Sequence, residues 1–279
     1  MLRAMFAKKS AGEIVFDVLN HMFMLGLMAI TLYPLVYVAM SSVSEPAPLI
    51  QFRGVLLRPL GFTVEAYRRV FLNPMIPMGY RNTLLYMAAG TTINLMLTCL
   101  GAYGLSRKKV LLRNPIMFVV VFTMFFSGGL IPSFLLVANT LRLIDTPWAL
   151  ILPGAISTWN LIIMRTAFQS VPEALEEAAR MDGANDFTIL FRIVLPLSLP
   201  VVAVMLLFYS VGHWNSWFPA MIYLRTRDLF PLQLILREIL ITSSLSEMTT
   251  GVSGSDVEPI GETIKYATIV VATLPILCV

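Results

Sequence analysis

The sequence predicts an all-α integral membrane protein with six membrane-spanning helices, and three observations carry that reading. Only 13% of its 279 residues are charged and 57% are hydrophobic, whereas a soluble domain has about 25% charged residues. The hydrophobic residues lie in uncharged runs close to the roughly 20 residues a helix needs to cross about 30 Å of hydrocarbon. The stretches between the runs are short, so residues 1–279 form a single transmembrane domain with no separate soluble one.

The runs fall at about 18–43, 82–106, 115–138, 146–164 and 196–224, with a last one from 266 to 279. The first carries Asp17 and His21 at its edge, tolerable near the headgroups. MLRAMFAKKS resembles the start of a signal peptide, but the run from Met22 to Met40 is longer than a signal core. With no small-residue cleavage site after it, it reads as a retained span. The final run is still apolar at Val279. About 14 residues is too short to cross a bilayer, so the chain is expected to stop inside its sixth helix.

A plain count divides the basic residues evenly between the two sides. Short loops near span ends weigh most, and SRKKVLLR (Ser106–Arg113) is the tightest basic cluster. It places the amino terminus in the cytoplasm and makes 45–81 and 225–264 extracytoplasmic. The first of these holds several prolines and an amphipathic piece, VEAYRRVF, expected to lie along the membrane surface. The second is polar, with Ser243, Ser244, Ser246, Thr249, Thr250, Gly251, Ser253 and Gly254 close together. It reads as a flexible linker or as a surface for a substrate-delivery protein.

The most informative stretch lies between the fourth and fifth runs, at 170–196. Ser170 and Glu173 have capping-box spacing, with Pro172 in the first turn. Leu175, Ala178, Ala179 and Asp182 recur at i, i+3, i+4 and i+7, a face a partner can approach closely. Glu176 and Arg180 form an i,i+4 pair. Gly183 is placed to end the helix, and Asn185 or Asp186 to cap a second one with a Phe187, Leu190, Phe191 and Val194 stripe. Pro196 then closes it at a membrane surface. Five carboxylates (Glu173, Glu176, Glu177, Asp182, Asp186) face two arginines, so a partner with a basic groove is the physical expectation. The plain alternative is a solvated amphipathic loop.

Polar and aromatic residues within the runs are the candidates for touching a solute, because they are costly unless they face an interior or a water-filled path. Tyr209, His213, Trp214, Asn215 and Trp217 form the densest cluster. Aromatic faces and amides suit a sugar's C–H surfaces and hydroxyls. The alternative is an aromatic belt, with Gly212 and Pro219 marking a helix break. Ser127, in SGGLIP, suits close packing or a bent helix, with packing favoured. Trp159, Asn160 and Asn94 are weaker candidates.

Several classes are excluded or disfavoured. Cys99 and Cys278 imply no disulfide framework, and with His21 and His213 no metal site. The chain has no phosphate-cradling GxxxxGK[ST], and no HExxH, GxSxG or paired intramembrane carboxylates for catalysis. Its basic residues lie in loops beside spans, so the formal charge of +4 does not indicate nucleic-acid binding. An ion-coupled secondary transporter is the other-class alternative, and the lack of Asp, Glu, Lys or Arg within the span interiors argues against it.

The stretch through Glu177, Ala178, Ala179, Asp182, Gly183, Ala184, Phe187, Ile193, Leu195 and Pro196 resembles the EAA loop of bacterial ABC importer permeases. NTLLY, MFFSGGLIPSFLLV and GHWNSWFPAMIYL resemble the carbohydrate-uptake branch, near the smaller permease of the maltose importer. The resemblance covers nearly the whole chain. It implies the type I importer fold, alternating access, and location in the bacterial cytoplasmic membrane. It implies as partners a second homologous permease, two ATPase subunits that bind ATP and magnesium, and an extracytoplasmic solute-binding protein. No cofactor is implied for this chain, and no catalytic residue. It assigns ATPase coupling to Glu173, Glu176, Glu177, Ala178, Ala179, Asp182, Gly183, Ala184 and Phe187. Glu177 would pair with the ATPase, Gly183 would make the turn and Phe187 would fill the ATPase cleft. An oligosaccharide is the implied solute, with a peptide, amino acid or anion as the alternative within the superfamily.

Overall fold

A computed structural model describes residues 10–108, 110–250 and 260–277. Among these there is no β-strand. The chain divides into two compact units: residues 1–72 with 239–275, and residues 73–238 with 276–279.

In the first unit, α1 (Ala11–Ser42) opens with a capping box: Ser10 N donates to Glu13 Oε2 (2.8 Å) and Glu13 N to Ser10 Oγ (3.3 Å). The short α2 (Pro46–Gln51) and α3 (Glu65–Leu72) follow. VEAYRRVF is thus helical, with Ala66 and Val70 buried and Arg68 and Arg69 beside Glu65. Tyr67 shares a 2.8 Å hydrogen bond with Ser42, and Leu56 N donates to Tyr33 OH (3.3 Å).

The second unit is built on α4 (Met75–Ser106), which begins well before the apolar run at 82. Three of the expected spans are not continuous helices. The run 115–138 becomes α5 (Arg113–Phe125), then α6 (Leu130–Leu135) running into a π-turn (Leu136–Thr140), bent by 114°. Gly129 at φ 81° makes that corner, a conformation costly for any residue with a Cβ. The run 146–164 splits into α7 (Trp148–Ile151) and α8 (Thr158–Gln169) around Pro153-Gly154. The run 196–224 splits into α12 (Leu199–Trp214) and α13 (Trp217–Tyr223). The break lies at Asn215-Ser216, where Ser216 Oγ donates to His213 O (2.7 Å), and not at Gly212 or Pro219. Gly212 stays helical, and Pro219 sits in the first turn of α13, where its missing N–H costs nothing.

Between α8 and α12 lie α9 (Glu173–Met181), α10 (Asp186–Ile189), a π-turn (Leu190–Val194) and α11 (Leu195–Leu197). The segment Asp186–Leu197 meets α12 at 88°. The polar stretch read as a linker is instead largely α14 (Leu232–Thr250), whose residues to Glu238 belong to this unit. Gly251, Ser253 and Gly254 lie outside the described residues, as does Cys278. The last helix, α15 (Ile260–Leu277), begins six residues ahead of the expected run.

Two helices, Gly12–Ser42 and Met75–Ser106, are long and apolar enough to cross a membrane alone, and the two bent pairs make four if each is one span. Among the described residues a further, shorter apolar helix runs over Thr263–Leu277, within α15. The core of the larger unit joins α4, α8, α10 with its π-turn, and α12 through Cys99, Ala102, Met164, Phe168, Ile189, Leu190, Val194 and Met205, and Ala179 of α9 and Leu195 of α11 pack against it.

Candidate functional site

The loop at 170–196 is two helices around one glycine, and its local chemistry explains the shape. Ser170 does not cap α9. It ends α8, its Oγ donating to Ala167 O (2.7 Å), so the expected Ser170–Glu173 capping box does not form. Pro172, extended at φ −58°, precedes α9 instead, and Glu173 and Glu176 in the first turn face the helix's positive end. Gly183, at φ +82°, lets Ala184 N reach Ala179 O (2.9 Å) and Gly183 N reach Arg180 O (3.0 Å). These two bonds are the Schellman closure of α9. Asn185, not Asp186, caps the next helix, its Oδ1 accepting from Thr188 N (2.8 Å) and Thr188 Oγ1 (2.9 Å).

The loop has an inner and an outer face. Inward, Ala179 and Ala184 pack on the core with Ile189, Leu190 and Val194. The small-residue face therefore divides, because Leu175, Ala178 and Asp182 stay exposed while Ala179 does not. The second stripe divides too: Phe187 is 65% exposed and Phe191 50%. Glu173, Glu177, Met181 and Gly183 complete the outer face.

Glu176 departs from expectation. It is buried, 6% exposed, and its partner is Arg107 rather than Arg180. Arg180 turns instead to Asp186. Arg107 lies just past α4 and also donates from Nη2 to Phe168 O (2.8 Å) and from Nε to Ser106 Oγ (2.9 Å). Lys108 pairs with Glu173 at 2.7 Å, but both are exposed, and such a pair contributes about 0–1 kcal/mol. In the sequence Arg107 stands out only as part of the basic cluster beside a span. Its spacing to Glu176 carries no signal, because only the tertiary fold joins them.

The solute candidates do not share one surface. Tyr209 is buried between α4 and α12, sharing a 2.7 Å hydrogen bond with Thr98 and accepting from Ser157 N (3.2 Å). His213 is buried against Gly90, with Nε2 3.4 Å from Asn94 Oδ1, while Asn94 Nδ2 donates to Gly154 O (3.2 Å). Trp214 is buried, its ring edge-on to Tyr80 at 6.1 Å. Asn160 is buried as well. Tyr209, His213 and Trp214 hold helices together in this chain. The exposed candidates are Asn215, Trp217, Trp159 and Ser127. Ser127 stands at the corner before α6, and a Cβ on Gly129 would meet nothing within 4 Å, so the favoured reading of SGGLIP as a close-packing patch does not hold within the chain. Trp217 lies under the Arg237 guanidinium, 4.9 Å from the ring centre.

NTLLY acquires a physical reason. Asn82 Nδ2 donates to Asp228 O (2.7 Å) and Phe230 O (3.1 Å), Tyr86 OH donates to Leu229 O (2.9 Å), and Thr83 Oγ1 accepts from Leu232 N (2.9 Å). One end of α4 thereby grips the turn at 228–232. Nearby, Asp145 accepts from Arg225 N (2.8 Å), Thr226 N (2.8 Å) and Thr226 Oγ1 (2.6 Å). These bonds, the Thr226 hydroxyl first, hold its pKa below the usual carboxylate value. The tie is therefore fully present above an ordinary aspartate's pKa of about 3.9 and is lost as pH falls through the lower folded value. Protection factors at the 225 and 226 amides, which remove the intrinsic pH dependence of exchange, should be flat from neutrality to about pH 5 and fall only below about pH 4. Asp145→Asn should remove that acid step.

An acid-rich helical hairpin with an exposed aromatic face, set between apolar helices, is the form of a membrane subunit that answers to a partner. Residues 95–278 match the family described as binding-protein-dependent transport system inner membrane component, and the chain belongs to that family. It is a multi-pass ABC importer permease, which sets aside the ion-coupled secondary transporter. It is 43% identical over 265 residues to the polygalacturonan/rhamnogalacturonan transport system permease protein YtcP of Bacillus subtilis, covering 95% of this chain and 92% of that one. It is equally similar, at 43%, to Protein LplC of the same organism, over 95% and 89% of the two chains. Among solved structures it resembles a bacterial ABC transporter involved in the import of the acidic polysaccharide alginate. The TM-score is 0.88, at 32% identity over 97% of this chain and 96% of that one.

Proposed function

We propose that this chain is one of two permeases in an ATP-driven importer of oligosaccharides, and that its 170–196 loop is the element that docks on the ATPase. The observation that carries the docking assignment is the division of the loop: Glu176 is turned inward while Glu177, Met181, Asp182 and Phe187 are exposed. Leu175, Met181, Phe187 and Phe191 are all exposed on this one loop among its carboxylates, and an apolar patch with a polar rim suits a docking surface. The chain does no bond chemistry; ATP and magnesium belong to the two ATPase subunits, and solute arrives from an extracytoplasmic binding protein. The amino terminus lies in the cytoplasm, on the same side as the loop.

The similarity to permeases named for polygalacturonan/rhamnogalacturonan, and to an alginate importer, favours a carboxylate-bearing oligosaccharide over a peptide or amino acid. Arg237 stacked on the exposed Trp217 is consistent with that class, since a guanidinium pairs with carboxylate and an indole face with a sugar ring.

Affinity purification of the tagged chain from its own membrane, followed by mass spectrometry, is expected to recover a second permease, a Walker-type ATPase and a binding protein. Uronate oligosaccharides should then raise the melting temperature of that binding protein; stabilisation only by peptides would overturn the sugar assignment. Recovery of the chain alone, still transporting, would sink the coupling-loop reading. Glu177→Ala should weaken ATPase docking by about 2–5 kcal/mol, the cost of truncating one partner of an interfacial charge pair. Full solute-stimulated ATP hydrolysis in that variant would remove Glu177 from the interface.

A further inference from the structure

We infer that Arg107 and Glu176 form the link through which motion of the loop reaches the membrane helices, with α4 as the rod that carries it across. The inference rests on the coupling reading of the loop given above. The Arg107 and Glu176 side chains are only 14% and 8% exposed. From one guanidinium, Nη1 donates to Glu176 on α9, Nη2 to Phe168 O near the end of α8, and Nε to Ser106 at the end of α4. The same group lies over the Tyr103 ring at 4.9 Å. Three elements therefore meet on one planar fork.

The other contacts considered under the loop constrain distance and angle less than this fork does. Ala179, Ala184, Ile189 and Leu190 make apolar contacts, which are non-directional and tolerate sliding. Lys108–Glu173 is exposed and screened. A planar fork fixes both distance and angle. Displacing α9 must therefore carry Arg107 along or strand a buried carboxylate, which is strongly disfavoured. Arg107 continues directly into α4, an unbroken helix of 32 residues and about 48 Å. Its far end is tied to the 228–232 turn by Asn82, Thr83 and Tyr86. Arg107 and Glu176 are positioning residues: they touch neither solute nor nucleotide and act through α4.

The test uses the complete importer in proteoliposomes and reads two quantities, ATPase subunit retained and ATP hydrolysed per solute imported. Arg107→Gln and Glu176→Gln leave Glu177, Met181 and Phe187 untouched. They are expected to keep the ATPase subunit and to raise ATP per solute about fivefold or more, the range of an allosteric coupling. The exchange Arg107→Glu with Glu176→Arg should restore much of the wild-type ratio. A wild-type ratio in either single variant overturns the link. So does loss of the ATPase subunit in both singles without rescue by the exchange, which would make the pair a folding element only. Should the singles not accumulate, Arg107→Lys keeps the charge and loses the fork. An intermediate ratio supports the link and an unchanged one overturns it. A wild-type complex whose hydrolysis ignores solute would instead overturn the coupling reading of the loop.

Discussion

Gly183→Val is expected to abolish solute-stimulated ATP hydrolysis in the assembled complex, while Gly183→Asn is expected to retain most of it. The reason is confined to the backbone. A Cβ at this position meets no atom within 4 Å, so no clash arises from size. The residue sits at φ +82°, where a Cβ costs roughly 1–2 kcal/mol, and a β-branched side chain fares worse there. Asparagine enters this region far more readily. Valine should open the closure made by Ala184 N on Ala179 O and swing Asp182 and Phe187 out of register with each other. Co-purified ATPase subunit and its stimulation by loaded binding protein are the measurements. Equal coupling in both variants would show that the angle between α9 and α10 does not matter.

Gly90→Val is expected to prevent accumulation of folded protein. The His213 imidazole lies directly on Gly90, and an added Cβ would stand 2.5 Å from Cε1 and 2.9 Å from Cδ2. Overpacking of this kind costs about 1–3 kcal/mol, and displacing the ring also removes its contact with Asn94. An unpartnered buried polar group adds about 1–3 kcal/mol. The ring cannot retreat easily, since His213 is buried and Trp214 beside it is packed on Tyr80. Monodisperse yield in mild detergent and the melting temperature report the effect. Combining Gly90→Val with His213→Ala should recover much of the loss, because the two sites are in contact and their effects do not add. A single Gly90→Val variant that melts like wild type would mean α4 and α12 do not approach here.

Much of the loop was legible in the sequence because its signals are local. The turn at Gly183 and the cap at Asn185 depend on residues within five positions of each other, and the structure has both. Ser170 misled because its hydroxyl finds a nearer acceptor in Ala167 O, at the end of the preceding helix. Glu176 misled because an i,i+4 pair contributes a few tenths of a kcal/mol, less than the pull of a buried guanidinium brought in from Arg107. The corner at Gly129 and the break at Asn215-Ser216 fall where the sequence offered a bent helix at SGGLIP and a break marked by Gly212 and Pro219 only as alternatives, because hydropathy alone does not locate the residue that turns the chain.

The sequence by itself determined that this is a helical membrane protein carrying an acidic helical hairpin between apolar runs. Hydropathy, glycine conformation and helix capping are properties of near neighbours in the chain, and they survive without knowledge of the fold. Only the tertiary structure decided which acid faces inward, that Tyr209, His213 and Trp214 are buried between helices, and that Arg107 joins three elements. Those choices depend on which distant groups compete for the same buried space, and in a low-dielectric interior that competition overrides local preference.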